Sequence, residues 1–357
     1  MPFGSIQFGD HWEAHTPGMK RATLLDVAQR AGVSRATASL VVRGSPLVSA
    51  STKAAVETAM SELGYVYNLG AARMRAARSR TAAVIIPNLT NPFFAVLLAG
   101  IESVLETAGL AVILANSNES TTKQDGFAIR MREHGVDGLI LCPAQDTQTQ
   151  FVEDVQRWGA PLVQTLRVAP GTSSDYAGMD PAPGMREAIR CLADFGHQRI
   201  GYIAANLYHS AHTERLEAFH AAMAEHGLEP AFVKELDSTH NAARAAAPQI
   251  MNRPSRPTAL ICHNDVLGLG LHRGLCDLGV MPGRDVSLIG FDNVDEADLV
   301  RPGLASVATE PFRVGENAAR LLLRRLENPE ADISTVVEPT YFVQRGSCGP
   351  ARSFAKT

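Results

Sequence analysis

Ser34-Arg35-Ala36-Thr37 open a short amphipathic stretch, and their side chains match what the edge of a DNA duplex offers. The Arg35 guanidinium can pair bidentately with guanine O6 and N7, Ala36 can touch a thymine methyl, and the Ser34 and Thr37 hydroxyls suit phosphate oxygens. Other reactive residue types lack the spacing that chemistry needs. Gly268-Leu269-Gly270-Leu271-His272-Arg273-Gly274 is a near miss to a dinucleotide-binding loop, but it lies inside a helical stretch after Asp265 instead of closing a strand. No Gly-x-Ser-x-Gly, His-Glu-x-x-His or Walker sequence occurs. His209, His212, His220, His226 and His240 gather around one pair of helical stretches, where solvated surface is the expectation and a metal is not. Cys142, Cys191, Cys262, Cys276 and Cys348 lie far apart without a Cys-x-x-Cys pair and read as buried free thiols. These residues predict a DNA reader that is no enzyme and carries no cofactor.

Presenting Arg35 to a groove requires two short helices at a sharp angle. Thr23 and Asp26 have the spacing of a capping box, Gly32 permits the turn, and Ser34 caps a second helix through about Val42. A third helix follows Ser49 and stops at Gly64, which makes residues 20–65 a helix-turn-helix head. Residues 1–19 read as a flexible leader. Residues 66–80 are rich in Ala and Arg but interrupted by Gly70, too short to be helical alone, and read as a hinge linker. From Thr81 onward strands and helices alternate, starting with Thr81-Ala82-Ala83-Val84-Ile85-Ile86, in two successive series. Two such series predict an α/β body of two lobes, with parallel sheets and helices on both faces, and a ligand cleft beyond the carboxyl ends of the strands.

The charge distribution supports this division. Residues 20–80 hold ten basic and three acidic side chains, whereas the whole chain of 357 residues holds 33 Lys and Arg against 37 Asp and Glu. A basic head on an acidic body is the asymmetry expected when one end meets a polyanion. Without a run of about 18 apolar residues or a basic, apolar N-terminus, neither a membrane span nor a secretory signal is expected, and the protein should stay in the cytoplasm.

Ala22-Thr23-Leu24-Leu25-Asp26-Val27-Ala28-Gln29-Arg30-Ala31-Gly32-Val33-Ser34-Arg35-Ala36-Thr37-Ala38-Ser39 resembles the head of the lactose-repressor (LacI/GalR) family of bacterial transcription regulators. Leu47-Val48-Ser49, Leu63-Gly64-Tyr65, Pro87 to Phe94, Gly135 to Ile140, Gly196 to Ile203, Asn264-Asp265 and Gly290-Phe291-Asp292-Asn293 follow in that family's order. The resemblance implies a periplasmic-binding-protein-like body, a homodimer on near-palindromic double-stranded operator DNA, and a repressor controlled by a sugar or sugar derivative. It implies lobe 1 at about 81–178 plus 308–330 and lobe 2 at about 179–307 plus 331–357. On the DNA side it points to Thr23, Ser34, Arg35, Ala36, Thr37 and Leu40, and in the hinge to Asn68, Ala71 and Met74, the last as an apolar wedge for the minor groove. Leu40 stands where the family often has Arg and cannot read a guanine. On the effector side the resemblance points to Phe93, Arg215, Asp265 and Phe291. Leu166-Arg167 replaces a frequent Asp-Arg, which removes one acceptor and leaves Arg167 to meet an acid or a less hydroxylated ligand.

Overall fold

The computed structural model describes residues 22–42, 45–65 and 79–352. Its contacts fall into two units, Met1–Ala77 and Arg78–Thr357. In the first, α1 (Leu24–Arg30) starts at Thr23, whose hydroxyl accepts the Asp26 N–H while the Asp26 carboxylate accepts the Thr23 N–H at 2.7 Å. Gly32, at φ +67, turns the chain into α2 (Arg35–Val42), and α3 (Ala50–Glu62) is capped by Ser49. Val27, Ala28, Ala38, Val41, Val56 and Ala59 close the small core between them. Asn68, Ala71 and Met74 lie outside the described residues.

The second unit contains two six-stranded sheets. The first series runs β1 (Thr81–Ile86), α4 (Pro92–Thr107), β2 (Ala111–Asn116), α5 (Thr121–Glu133), β3 (Gly138–Leu141), α6 (Thr149–Arg157), β4 (Leu162–Thr165) and β5 (Asp175–Asp180). The second runs α7 (Ala182–Asp194), β6 (Ile200–Ala205), α8 (Ser210–Glu225), β7 (Phe232–Leu236), α9 (His240–Met251), β8 (Ala259–Cys262), α10 (Asp265–Asp277), β9 (Ser287–Asp292), α11 (Glu296–Leu299) and β10 (Ala305–Ala308). The chain then adds α12 (Pro311–Glu327), β11 (Thr335–Pro339) and β12 (Tyr341–Val343). The sheet orders are β2-β1-β3-β4-β5-β11, all parallel, and β7-β6-β8-β9-β10-β12, with only β12 antiparallel.

Strand β1 is buried throughout because helices cover both faces. Ala82, Val84 and Ile86 join the core made with α4 and α12, whereas Ala83 and Ile85 join the core made with α5 and α6. The order 2-1-3-4-5 in each sheet is that of doubly wound folds, which bind ligands where the order reverses.

The lobe boundary differs from the sequence expectation. Residues 331–339 do not belong to lobe 2, because β11 pairs in parallel with β5 from Thr335↔Tyr176 to Pro339↔Asp180, filling an edge that lobe 1 would otherwise leave open. The chain returns to lobe 2 at Thr340. There the Thr340 N–H and Oγ1 both donate to the Asp180 carbonyl, at 3.2 and 2.8 Å, and Oγ1 accepts the Gly184 N–H at 3.0 Å. Two of the chain's passages between the lobes are thereby bonded side by side. Among the described residues no helix is long and apolar enough to cross a membrane.

Candidate functional site

In the head, Thr23, Ser34, Arg35 and Ala36 are exposed, and Thr37 and Leu40 are half-buried. The Ser34 hydroxyl accepts the Thr37 N–H at 3.0 Å and lies 2.9 Å from the Thr37 hydroxyl. Ser34 thus fixes the first turn of α2, whose first turn carries no acid, and leaves Arg35 and Ala36 on its surface. A helix N-terminus of this kind attracts phosphate.

In the body, a cavity of about 320 Å³ opens between the two sheets. Its walls come from the segments just past the carboxyl ends of strands: Asn88, Thr90 and Asn91 after β1, Glu119 after β2, Leu166 and Arg167 after β4. From lobe 2 come Leu207 and His209 after β6, Ser238 and Thr239 after β7, His263 and Asn264 after β8, and Asp292 at the end of β9. Phe93, Phe94, Met179 and Arg215 complete the parts that matter below.

Three of these residues hold unfavourable backbone conformations. Glu119, Leu166 and Asp292 have φ of 58, 61 and 111, each costing of order 1–3 kcal/mol for a residue with a side chain. Such strain, gathered on one cavity, marks a functional surface.

The two arginines of the cleft are paired internally. The Arg167 guanidinium donates to both oxygens of Glu119 at 2.9 Å and to the Pro143 carbonyl at 3.0 Å. Arg215 donates to the His263 carbonyl at 2.6 Å and to Asp292 at 3.2 Å. Burial raises the Asp292 carboxyl to about 6, with Arg215 and a hydrogen bond from Asn91 pulling the other way. That bond runs from lobe 1 to lobe 2. Glu214 is also raised, again by burial first.

Of the five histidines expected on solvated surface, His220, His226 and His240 are exposed, whereas His209 is half-buried and His212 is buried, close to the likewise buried His263. His212 and His263 are only 6% and 4% exposed. Burial, then the positive charge of the neighbouring arginines, drives His209 and His263 far below the ordinary imidazole range. His209 Nδ1 accepts the His212 N–H at 3.1 Å as the cap of α8, so its proton sits on Nε2. Among the described residues no cluster of His, Cys, Asp or Glu has the geometry to hold a metal ion.

Phe93, Arg167 and Arg215 line the cavity, but Asp265 and Phe291 do not. Asp265 is fully buried, its carboxylate accepting the Ser306 hydroxyl at 2.8 Å and the Val294 N–H at 2.9 Å. As the first residue of α10 it points back into the lobe, while its neighbour Asn264 caps the helix and faces the cleft. Phe291 is fully buried beneath the Arg215 guanidinium, 3.9 Å from its ring centre. The adjacent Asp292 takes the cavity position because alternate strand residues face opposite ways. Arg167 is no free counter-charge for an acid, since Glu119 already occupies it. Glu119, Asn264 and Asp292 are the residues that sequence reasoning left out.

Residues 23–68 match the profile of bacterial regulatory proteins of the lacI family, and residues 189–348 match that of a periplasmic binding protein-like domain. Catabolite control protein A of Priestia megaterium is 30% identical over 320 residues, covering 89% of this chain and 96% of the relative. The lac repressor dimer bound to operator and the anti-inducer ONPF superposes with a TM-score of 0.83 at 26% identity, over 92% of this chain and 99% of that one. The transcriptional regulator CelR–cellobiose complex does so at 0.69 and 29% identity, over 92% and 100%. A likeness that runs from the capped helices of the head through both sheets of the body makes this chain a member of the lacI family of bacterial regulatory proteins, a DNA-binding transcriptional regulator.

Proposed function

We propose that the chain is a repressor that acts as a two-fold dimer on a near-palindromic operator, with a neutral, sugar-like effector in the inter-lobe cavity, and that it works by binding and not by catalysis. Residues 20–65 read DNA, 66–80 form the hinge, and 81–357 bind effector and the second subunit. Ser34, Arg35, Ala36 and Thr37 contact the duplex with Thr23 and Leu40, and Asn68, Ala71 and Met74 serve the hinge. The observation that carries the effector reading is the internal pairing of Arg167 with Glu119 and Arg215 with Asp292. Such a cleft offers polar geometry without an unpaired cation, which suits hydroxyls better than an acid. The CelR–cellobiose structure is a sugar complex of the same fold. Burial holds the Cys142 thiol up at about 12, so no reactive thiolate stands beside the cavity.

Two substitutions test the separate halves. Arg35→Ala weakens operator binding by about 1–3 kcal/mol per half-site and relaxes preference at one symmetric base pair. The measurement is a gel-shift titration of a duplex selected from a random pool by the full chain. Unchanged affinity and base preference would remove Arg35 from the interface. Asp292→Asn weakens the effector by about 10–100-fold, the worth of a hydrogen bond to a charged group, and leaves effector-free operator affinity unchanged. A calorimetric screen of monosaccharides and disaccharides against both forms reads the first effect. If Asp292→Asn binds the same sugar as tightly as the parent, the ligand does not sit in this cavity.

A further inference from the structure

We propose that the ligand of this cleft is a deoxy sugar, bound with its hydroxyl-free edge against Leu166. The inference rests on the sugar reading above and specifies it. Leu166 is the middle of a three-residue turn: the Arg167 N–H donates back to the Thr165 carbonyl at 2.7 Å, and Leu166 has φ +61. A γ-turn of this hand is rare and strained, and glycine or asparagine would hold it with less strain than a branched aliphatic side chain. The turn nevertheless places leucine on the cavity wall, 7% exposed and in one apolar cluster with Phe93 and Phe94, which also line the cavity. Lobe 1 therefore presents an apolar patch of Leu166, Phe93 and Phe94, flanked on the same wall by Asn88, Thr90, Asn91 and Glu119.

The nearest cation in sequence, Arg167, is turned to Glu119 and the Pro143 carbonyl. The opposite wall is polar, with Ser238, Thr239, Asn264, Arg215 and Asp292 in lobe 2. His209 adds a neutral Nε2–H that has no partner among the described residues. A ligand matched to this patch and to lobe 2 turns hydroxyls to lobe 2 and has only carbon and hydrogen at the edge that meets Leu166. A hydroxyl pointing at Leu166 would give up its water without gaining a partner. An apolar wall discriminates by up to about 100-fold against one added hydroxyl.

The test is calorimetry of the full chain with matched pairs: L-rhamnose and L-mannose, L-fucose and L-galactose, D-fucose and D-galactose, 2-deoxy-D-ribose and D-ribose. In at least one pair the deoxy member binds about 10–100-fold more tightly. Leu166→Asn, which accepts the backbone turn and offers a hydrogen bond, abolishes or reverses that preference. Leu166→Ala, which only opens space for water, brings the two members closer, and it serves as the second variant if Leu166→Asn does not fold. Equal or tighter binding of the hydroxylated member in every pair that binds overturns the inference while leaving the sugar reading intact. So does a preference that both variants keep. If none of the eight sugars binds, the inference is overturned, and the wider screen of monosaccharides and disaccharides decides the sugar reading by itself.

Discussion

The intact protein loses about 10³–10⁵ in operator affinity between 50 and 200 mM salt, and a protein beginning at Arg80 has no operator affinity at any salt. Both follow from where the positive charge lies: ten of the basic residues fall within 20–80, against three acidic ones, while the rest of the chain is net acidic. A dimer whose heads make about 6–10 phosphate contacts releases that many condensed counterions, and the slope of log affinity against log salt reports the number. Fluorescence anisotropy of a labelled duplex at four or five salt concentrations measures it. A slope near zero would remove electrostatic recognition from the head. Residual specific binding by the shortened protein would place the reader elsewhere in the body.

The second large effect is on stability against pH, which rises as pH falls through about 8, a gain opposed below about 6.5 by buried histidines. Burial raises Asp265 to about 8 and Asp292 to about 6, the first helped by repulsion from the second. A carboxyl raised in the native state binds its proton there and not in the unfolded chain, so falling pH stabilises the fold from about 8 down through the native values. His197, His209, His212, His263 and His272 are all lowered, chiefly by burial. The unfolded chain protonates histidine below about 6.5 while the native one resists it, most strongly at His209 and His263, so this contribution to stability is lost as pH falls. The histidines therefore oppose Asp265, Asp292 and Glu214 in the acid range, whereas near pH 8 Asp265 acts alone. Urea unfolding at half-unit steps from pH 5 to 8.5 reads the curve. A monotonic rise to pH 8.5 would mean that Asp265 is ionised in the native protein.

Much of the architecture was legible because it rests on local rules. Thr23 with Asp26, Ser34 and Ser49 announce their helices by capping chemistry, and the fully apolar run at β1 announces a strand covered on both faces. The cavity was legible only to within one residue. In Asn264-Asp265 both side chains can cap a helix, and which one faces the ligand depends on the turn that leads into α10. In Phe291-Asp292 a strand alternates its faces, so a slip of one residue exchanges wall for core. Glu119 is missing from the sequence reading, and Leu166 enters it only as a lost acceptor, for another reason. Their places on the wall depend on left-handed backbone conformations that tertiary packing imposes and side-chain type does not announce. His209 and His212 depart from the expected solvated surface because burial, with the nearby arginines, favours the neutral ring inside the fold.

The return of the chain to lobe 1 also governs how the protein is born. Lobe 1 receives α12 and β11 only after all of lobe 2 up to β10 has been made. At 5–20 residues per second, the roughly 150 residues between the end of β4 and the start of α12 take on the order of 10–30 s to synthesise. Throughout that interval the apolar faces of α4 and of strands β1, β3 and β4 that α12 will cover stand open beside the ribosome. The finished body is a pair of lobes, but the nascent chain is one late-closing object, and its first half waits for its last to be made.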